Sequence, residues 1–282
     1  MNFKFIILIL FLFLLHHQSM PQEFQIMGTP APGNILIGRM INPSEIKNIE
    51  KIMLDSTDIK FGNSGVFVFG FDRDDTGLHH IRVKMKNGRE TVKELSLAKR
   101  SYKEQSISNM KQKYVNPPKR ELARIEKESN IIKEARAKIG IIDSALYSAG
   151  FIRPVKGGRI TGVFGSQRIL NGIPKSTHNG LDIAAPRGTP VYAATDGIVQ
   201  LTGKNFYYSG NLILLDHGQG LSSIYIHLHT IDVNEGQKVK KGQLIGQIGT
   251  TGRSTGPHLH WGVQWFDKRI DPMSLLEIGS VQ

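Results

Sequence analysis

Five of the ten histidines in this 282-residue sequence lie in three short stretches of its second half, and one stretch also holds an aspartate. The stretches are residues 178–182 (HNGLD), 225–229 (YIHLH) and 257–261 (PHLHW). Imidazole nitrogen and carboxylate oxygen are ligands of Zn²⁺, and a catalytic zinc site takes three protein ligands and leaves a fourth position to water. Two histidines and one aspartate would meet that count, so the pattern indicates a metal site suited to hydrolysis of an amide or ester.

The elements expected around these residues explain how they could converge. A His-x-His pair on a strand, such as His258 and His260, presents both rings on one face, where one can bind the ion while the other stands beside its water. His178 and Asp182 are separated by an Asn-Gly pair, which favours a turn leading into a strand. The chain has no cysteine, so any metal must be held by His, Asp or Glu.

The whole sequence predicts a mainly β protein in two parts joined by a linker. Residues 21–113 contain alternating apolar runs and an Asn-Gly hairpin signal, which predict a small antiparallel sandwich. Residues 114–150 begin with a Pro-Pro break and continue with an amphipathic helix over residues 118–137, whose apolar face includes Leu122. Residues 151–282 hold 20 of the 30 glycines between short apolar runs, which predicts many short strands joined by tight turns and excludes a helix bundle.

The N-terminus and the charge of the chain bear on its location and partners. Lys4 precedes an apolar run at residues 5–15 and a polar exit, which predicts a secretory signal over residues 1–20. The run is too short to cross a bilayer core of about 30 Å as a helix, so membrane association is expected only through this segment where it is not cleaved. The expected location is the periplasm or cell envelope of a bacterium. The net charge of +12 is spread along the chain without a nucleic-acid-binding motif, so nucleic acid is not an expected partner.

Two of the three stretches belong to longer distinctive sequences, HNGLDIAAP at residues 178–186 and GRSTGPHLH at residues 252–260. On these sequences the chain, over about residues 155–271, resembles the lysostaphin-type (LytM-type) zinc metallopeptidases of family M23, whose members cut peptide bonds in peptidoglycan. The KYVNPP sequence at residues 113–118 resembles the interdomain linker of exported members that carry an N-terminal immunoglobulin-like domain. The resemblance therefore implies an immunoglobulin-like sandwich, a linker helix and a Gly-rich antiparallel β peptidase domain.

The resemblance also implies roles for individual residues. His178, Asp182 and His260 would hold one Zn²⁺ per chain, and His227 and His258 would serve as catalytic partners of the water and the developing oxyanion. Both catalytic histidines are expected to titrate near the ordinary imidazole pKa of about 6.5. The implied activity is that of a zinc-dependent murein endopeptidase, and the implied substrates are the stem peptides and cross-links of peptidoglycan.

Several alternatives stay open at the level of the sequence. The alternative function is a non-catalytic envelope module that binds peptidoglycan or activates a separate amidase, although all five chemical positions are present. His229 would share a strand face with His227 and reach the rim of the site, or else be packed or solvated elsewhere. His217 is expected to have a structural role in a turn. The sandwich and linker could hold a segment over the metal site as self-restraint, and an envelope regulator is a further possible partner.

Overall fold

The computed structural model describes residues 23–279, so the secretory signal predicted for residues 1–20 lies outside the described residues. The prediction of a mainly β protein is confirmed, and no helix in residues 23–279 is both long and apolar enough to cross a membrane. The strands are β1 (Phe24–Met27), β2 (Ile35–Met40), β3 (Ile49–Leu54), β4 (Thr57–Ile59), β5 (Val66–Gly70), β6 (Gly77–Met85), β7 (Glu90–Leu97), β8 (Glu104–Ile107), β9 (Arg159–Gly162), β10 (Gln167–Leu170), β11 (Ile173–Pro174), β12 (Leu181–Ala184), β13 (Pro190–Tyr192), β14 (Gly197–Phe206), β15 (Gly210–Asp216), β16 (Leu221–Ile231), β17 (Lys238–Val239), β18 (Leu244–Ile248), β19 (His258–Trp265) and β20 (Lys268–Ile270). The helices are α1 (Gln112–Val115), α2 (Lys119–Ala137), α3 (Pro272–Leu276) and two 3-10 helices at Pro43–Asn48 and Leu146–Ala149.

Two antiparallel sheets, β1-β2-β5 and β4-β3-β6-β7, form the N-terminal part of the fold. Strand β6 shows the alternation expected of a half-buried strand, because Ile81, Val83 and Met85 are buried while the residues between them are partly exposed. It pairs with β7 across the predicted Asn-Gly turn, in which Gly88 has a φ of +85°. The apolar faces of both sheets contribute to one hydrophobic core. The immunoglobulin-like character of this sandwich stays a prediction.

The sandwich ends earlier in the chain than the sequence predicts. Its last strand is β7, and β8 pairs in parallel with β10, so residues 98–113 do not belong to the sandwich range predicted as 21–113. Ile107 and Met110 pack in a small cluster with Leu170 rather than in the sandwich core. The segment at residues 98–115, which we call the connector, therefore runs along the second part of the protein.

Helix α2 begins directly after Pro118 and ends at Ala137, and Lys138 is its C-cap residue. Its apolar contact with the sheet is confined to its C-terminal half, where Ala135 is buried in a cluster that includes Leu212 on β15. Nearer its start, Arg124 donates to the backbone carbonyl of Asn205 on β14. Leu122, which the sequence predicts on the apolar face, is exposed because the first turns of α2 do not reach that cluster. The helix therefore packs on the outer face of strands β14, β15 and β16.

A ten-stranded sheet forms the second part, with the order β17-β14-β15-β16-β19-β12-β9 and with β13, β18 and β20 pairing beside it. Trp261 and Trp265 on β19 are fully buried in the core that this sheet shares with the sandwich. The two parts are also joined by the side chain of Gln219, which donates to the carbonyl of Val66 at 2.9 Å. The strand order matters for function because it places β16, β19 and β12 side by side.

Candidate active site

Three of the residues singled out by the sequence lie at the meeting point of β12 and β19. Asp182 and His260 are directly opposite each other in this antiparallel pair. His178 lies in the turn that leads into β12. The turn closes tightly on β19, because a Cβ at Gly180 would lie 2.5 Å from the carbonyl oxygen of Trp261 and 2.8 Å from Nε2 of His260. Glycine is therefore required at this position of the predicted Asn-Gly turn.

The donor atoms of these three residues converge on one point. His178 Nε2 lies 3.0 Å from Asp182 Oδ1 and 2.9 Å from His260 Nδ1, and the last two atoms are 2.7 Å apart. His178 Nδ1 donates to the carbonyl of Val163 at 3.0 Å, which leaves the lone pair on Nε2. In tetrahedral coordination with bonds of about 2.0 to 2.1 Å, ligand atoms are about 3.3 Å apart. Two nitrogens and one carboxylate oxygen, gathered at nearly this spacing, fit a zinc ion.

The protonation states of Asp182 and His260 also suit a metal. Burial lowers the pKa of His260 to about 4, although Asp182 acts in the opposite direction. Burial raises the pKa of Asp182, but the hydrogen bonds from His178 and His260 outweigh this effect and hold that pKa well below its usual range. At neutral pH the site thus contains a carboxylate and a neutral imidazole at position 260, which are the forms that bind metal ions.

His227 and His258 stand next to this cluster. Their ring centroids are 4.7 Å apart, and His258 Nε2 lies 4.0 Å from Asp182 Oδ1. Each ring is oriented by a backbone carbonyl, because Nδ1 of His227 donates to Thr251 at 2.8 Å and Nδ1 of His258 donates to Gly256 at 2.9 Å. These hydrogen bonds leave Nε2 of both rings as the nitrogen able to accept or return a proton.

The expectation of a pKa near 6.5 is wrong for His227. Burial of the ring, followed by the neighbouring His258 and His260, holds the pKa of His227 well below its usual value. A charged imidazolium is costly where the ring is buried, and the neighbouring His258 and His260 further disfavour its protonation. His227 is therefore a neutral base at physiological pH.

A break in strand β16 separates His227 from His229. His227 has a φ of +66°, and the register of β16 shifts against both β15 and β18 in this region. The simple alternation expected from the sequence fails here, because a bulge re-aims the side chains that follow it. His229 is exposed, and its Nδ1 lies 3.1 Å from the guanidinium of Arg187. It lines neither the active-site groove nor the adjoining hollow described below, so the second alternative, a solvated position away from the site rim, is the one observed.

An open groove of about 450 Å³ runs past the cluster, and we call it the active-site groove. The connector forms part of its wall. Its lining consists of Gln105, Ser106, Ile107, Met110, Arg159, Thr161, Arg168, Leu170, Asp182, Ala184, His227, Arg253, Ser254, Thr255, Gly256, Pro257 and His258. A second hollow of about 170 Å³ adjoins it and is lined by Arg168, Ser176, Thr177, Asn179, Tyr208, Ser209, Ile226, His227, Arg253 and His260. Arg168, His227 and Arg253 line both spaces.

The arginines and the connector are features of the site that reasoning from the sequence missed. Arg168 donates to Oδ2 of Asp182 at 2.9 Å, and Arg253 stacks on the ring of Tyr208 at 4.6 Å from its centroid. Neither arginine stands at a spacing that marks a metal site. One residue type in the sequence does reflect this arrangement, namely Gly162 on β9, the strand that pairs with β12. A Cβ at Gly162 would lie 2.5 Å from Oδ2 of Asp182.

Comparisons with known proteins place this site in a family. The profile of Peptidase family M23 matches residues 176–272, which include all five histidine and aspartate residues of the cluster and its flank. The peptidoglycan DD-endopeptidase ShyA of Vibrio cholerae is 52% identical over 84 residues, which are 30% of this chain and 19% of that protein. The DD-carboxypeptidase/endopeptidase Mpg of Neisseria meningitidis is 42% identical over 98 residues, which are 35% of this chain and 22% of that protein. The chain thus spans about a fifth of the length of these curated relatives.

The likeness in three dimensions extends beyond the matched residues. A crystal structure of a Pseudomonas aeruginosa protein assigned to peptidase M23 aligns with 90% of this chain and 96% of its own length, with a TM-score of 0.62 and 25% identity. A match of this extent includes both the sandwich and the ten-stranded sheet. Residues 176–272 of this chain therefore form a peptidase family M23 domain.

Proposed function

We propose that this protein is a zinc-dependent endopeptidase that hydrolyses peptide cross-links of bacterial peptidoglycan. The observation that carries the proposal is the convergence of His178 Nε2, Asp182 Oδ1 and His260 Nδ1 beside the paired rings of His227 and His258. The names of the two relatives, a peptidoglycan DD-endopeptidase and a DD-carboxypeptidase/endopeptidase, support peptidoglycan as the substrate. Such a substrate places the work of the enzyme in the periplasm or cell envelope, in line with the predicted export.

In this proposal His178, Asp182 and His260 hold one Zn²⁺ per chain. When bound, zinc polarises a carbonyl and lowers the pKa of its water toward about 7. Nε2 of one of these rings, His227 or His258, accepts a proton from the attacking water and then returns that proton to the leaving amine. The other ring, when it is protonated at Nε2, donates a hydrogen bond to the developing oxyanion. The backbone carbonyls of Thr251 and Gly256 keep both rings in the required orientation.

The active-site groove supplies the place for the substrate. Its open length beside His227 and His258 suits an extended peptide, and its connector wall lies within reach of that peptide. The hydrolysed bond in this proposal joins D-Ala to diaminopimelate, because a DD-endopeptidase cuts between two D-centres. The product is a pair of uncross-linked stem peptides.

The test combines metal analysis with digestion of purified sacculi by the full chain. We expect one zinc per chain and conversion of cross-linked muropeptide dimers to monomers, identified by mass spectrometry. The His258→Ala variant should keep its zinc and leave the dimers intact. If the zinc-loaded wild-type protein also leaves dimers intact but binds sacculi or stimulates an added amidase, the non-catalytic alternative is correct instead.

A further inference from the structure

The active-site groove and the adjoining hollow carry an excess of positive charge. Arg159, Arg168 and Arg253 line these spaces, and among residues 23–279 the only carboxylate in the lining belongs to Asp182. That carboxylate is already engaged by Arg168 and by the histidines of the metal cluster. The groove is therefore suited to a peptide that brings negative charge with it.

Of these three arginines only Arg168 takes part in an ion pair among residues 23–279, and Arg253, unlike the exposed Arg159, is partly buried. No ion pair in the described part of the chain includes its guanidinium, which stacks on Tyr208 at 4.6 Å and is largely withdrawn from solvent. Burial lowers the pKa of Arg253, and the positive charge of Arg168 lowers it further. An anion bound here would gain a charge-assisted hydrogen bond and would relieve the repulsion between the two guanidinium groups.

The backbone beside Arg253 is tightly held. Gly252 has a φ of +69°, and a Cβ there would lie 2.4 Å from the backbone nitrogen of Gly210 and 2.5 Å from the carbonyl oxygen of Tyr208. Arg253 N–H donates to the same Tyr208 carbonyl at 2.8 Å. The guanidinium is thus presented from a constrained loop, which reduces the entropy lost when a ligand binds to it.

We propose that Arg253 binds a free carboxylate next to the scissile bond and so makes this enzyme selective for carboxylate-bearing peptide cross-links. This inference rests on the proposed function. In a cross-link between D-Ala and diaminopimelate, the carbon attached to the scissile nitrogen carries a free carboxylate. Arg253 and His227 line both spaces at the metal cluster, so a peptide that crosses from one space to the other passes both side chains. The planar fork of arginine matches the two oxygens of that carboxylate.

The test compares two cross-linked dimers that differ only at this group, one with the free carboxylate of diaminopimelate and one with its carboxamide. Wild-type protein should cleave the carboxylate dimer with a kcat/KM about ten- to a hundred-fold higher than that of the carboxamide dimer. Arg253→Gln should lose about that factor on the carboxylate dimer, change the rate on the carboxamide dimer by a clearly smaller factor and keep its zinc. Arg253→Lys should fall between, because it retains the charge without the fork. The matched control is Arg187→Gln, which removes the same charge from an exposed position outside the groove.

Two results would overturn the inference while leaving the proposed function intact. One is an equal rate of wild-type protein on both dimers, and the other is an Arg253→Gln variant that is slower on both dimers by the same factor. Binding of the two dimers to metal-stripped protein, measured by calorimetry, separates the inference from the proposed function. A preference for the carboxylate dimer that is lost in Arg253→Gln supports the role of Arg253 even where no bond is cut, and equal affinity contradicts it.

Discussion

Arg168 and the buried Asp182 form an ion pair in which the guanidinium Nη2 lies 2.9 Å from Oδ2 of the carboxylate. The other oxygen of Asp182 faces His178 and His260. The two oxygens of one carboxylate are thereby divided between an arginine and the proposed metal. An arginine that is hydrogen-bonded to a metal-ligating carboxylate fixes the orientation of that carboxylate and keeps it ionised. Hydrogen-bond partners of this kind raise the affinity of a site for its metal.

The Arg168→Gln substitution should weaken zinc binding by about ten- to a hundred-fold, because it removes the fixed charge that holds Oδ2 of Asp182. Competition with a chromophoric chelator measures this change directly. Arg159→Gln is the matched control, since it removes a charge from the same groove without touching Asp182. Equal losses of zinc affinity in both variants would mean that only the overall charge of the groove matters.

Replacing the proposed ligand His260 by Ala should abolish zinc retention and sacculus hydrolysis together. His227→Ala should retain zinc and lose turnover by about a hundred- to ten-thousand-fold, which is the usual contribution of a general acid or base. Metal content by plasma mass spectrometry and rates of dimer cleavage provide the two measurements. Continued cleavage by His260→Ala, or loss of zinc from His227→Ala, would show that the assignment of the roles is mistaken.

The parts of the site found from the sequence are those encoded in short spacings. The turn between His178 and Asp182 and the His258-x-His260 pair are local, and their chemistry is recognisable because few residue types bind metals. The antiparallel pairing of β12 with β19 then brings Asp182 opposite His260. Such residues can be singled out as candidates before any long-range contact is known, whereas the individual roles predicted for them come from the family resemblance.

The parts that escaped prediction depend on contacts distant in the chain or on irregular backbone. The connector joins the second part because β8 pairs with β10, whose residues follow it by about sixty positions. Arg253 belongs to the groove because its loop packs on Tyr208. His229 leaves the site because the left-handed backbone of His227 interrupts the alternation of β16. None of these events has a signature in local residue patterns.

The buried ring of His217 should make the free energy of unfolding depend on pH. Its ring is buried, with Nδ1 donating to the carbonyl of Asp196 at 2.8 Å and Nε2 at 2.7 Å from the hydroxyl of Ser223. Burial lowers the pKa of His217 to about 4, although Asp196 opposes this effect. Because the unfolded chain takes up this proton below about pH 6.5 and the folded chain does not, the free energy of unfolding should fall by about 2 kcal/mol between pH 6.5 and 5 from this residue alone.

Urea unfolding of metal-stripped protein at several pH values measures this dependence. His217→Asn should be less stable at pH 7 but should lose that part of the slope, because the amide can still donate to the Asp196 carbonyl without titrating. His229→Asn serves as the control, because it makes the same change at an exposed position. An unchanged slope in His217→Asn would mean that the buried ring does not account for the acid sensitivity.

The connector provides a direct test between support and self-restraint. Gln105, Ser106, Ile107 and Met110 line the active-site groove, and Met110 is buried with Val115 and Leu170. A charge at position 110 cannot be satisfied in this apolar cluster, so Met110→Asp should detach the connector from the groove. If the connector supports the substrate, cleavage of sacculi should slow by several-fold and KM should rise, whereas self-restraint would make the variant faster than wild type.

Ser108→Asp is the control, because it adds the same charge to the same segment at an exposed position outside the groove lining. The open groove and the hydrogen bond from Gln105 to the Thr161 carbonyl at 2.9 Å favour the first outcome, in which the connector is part of the binding surface.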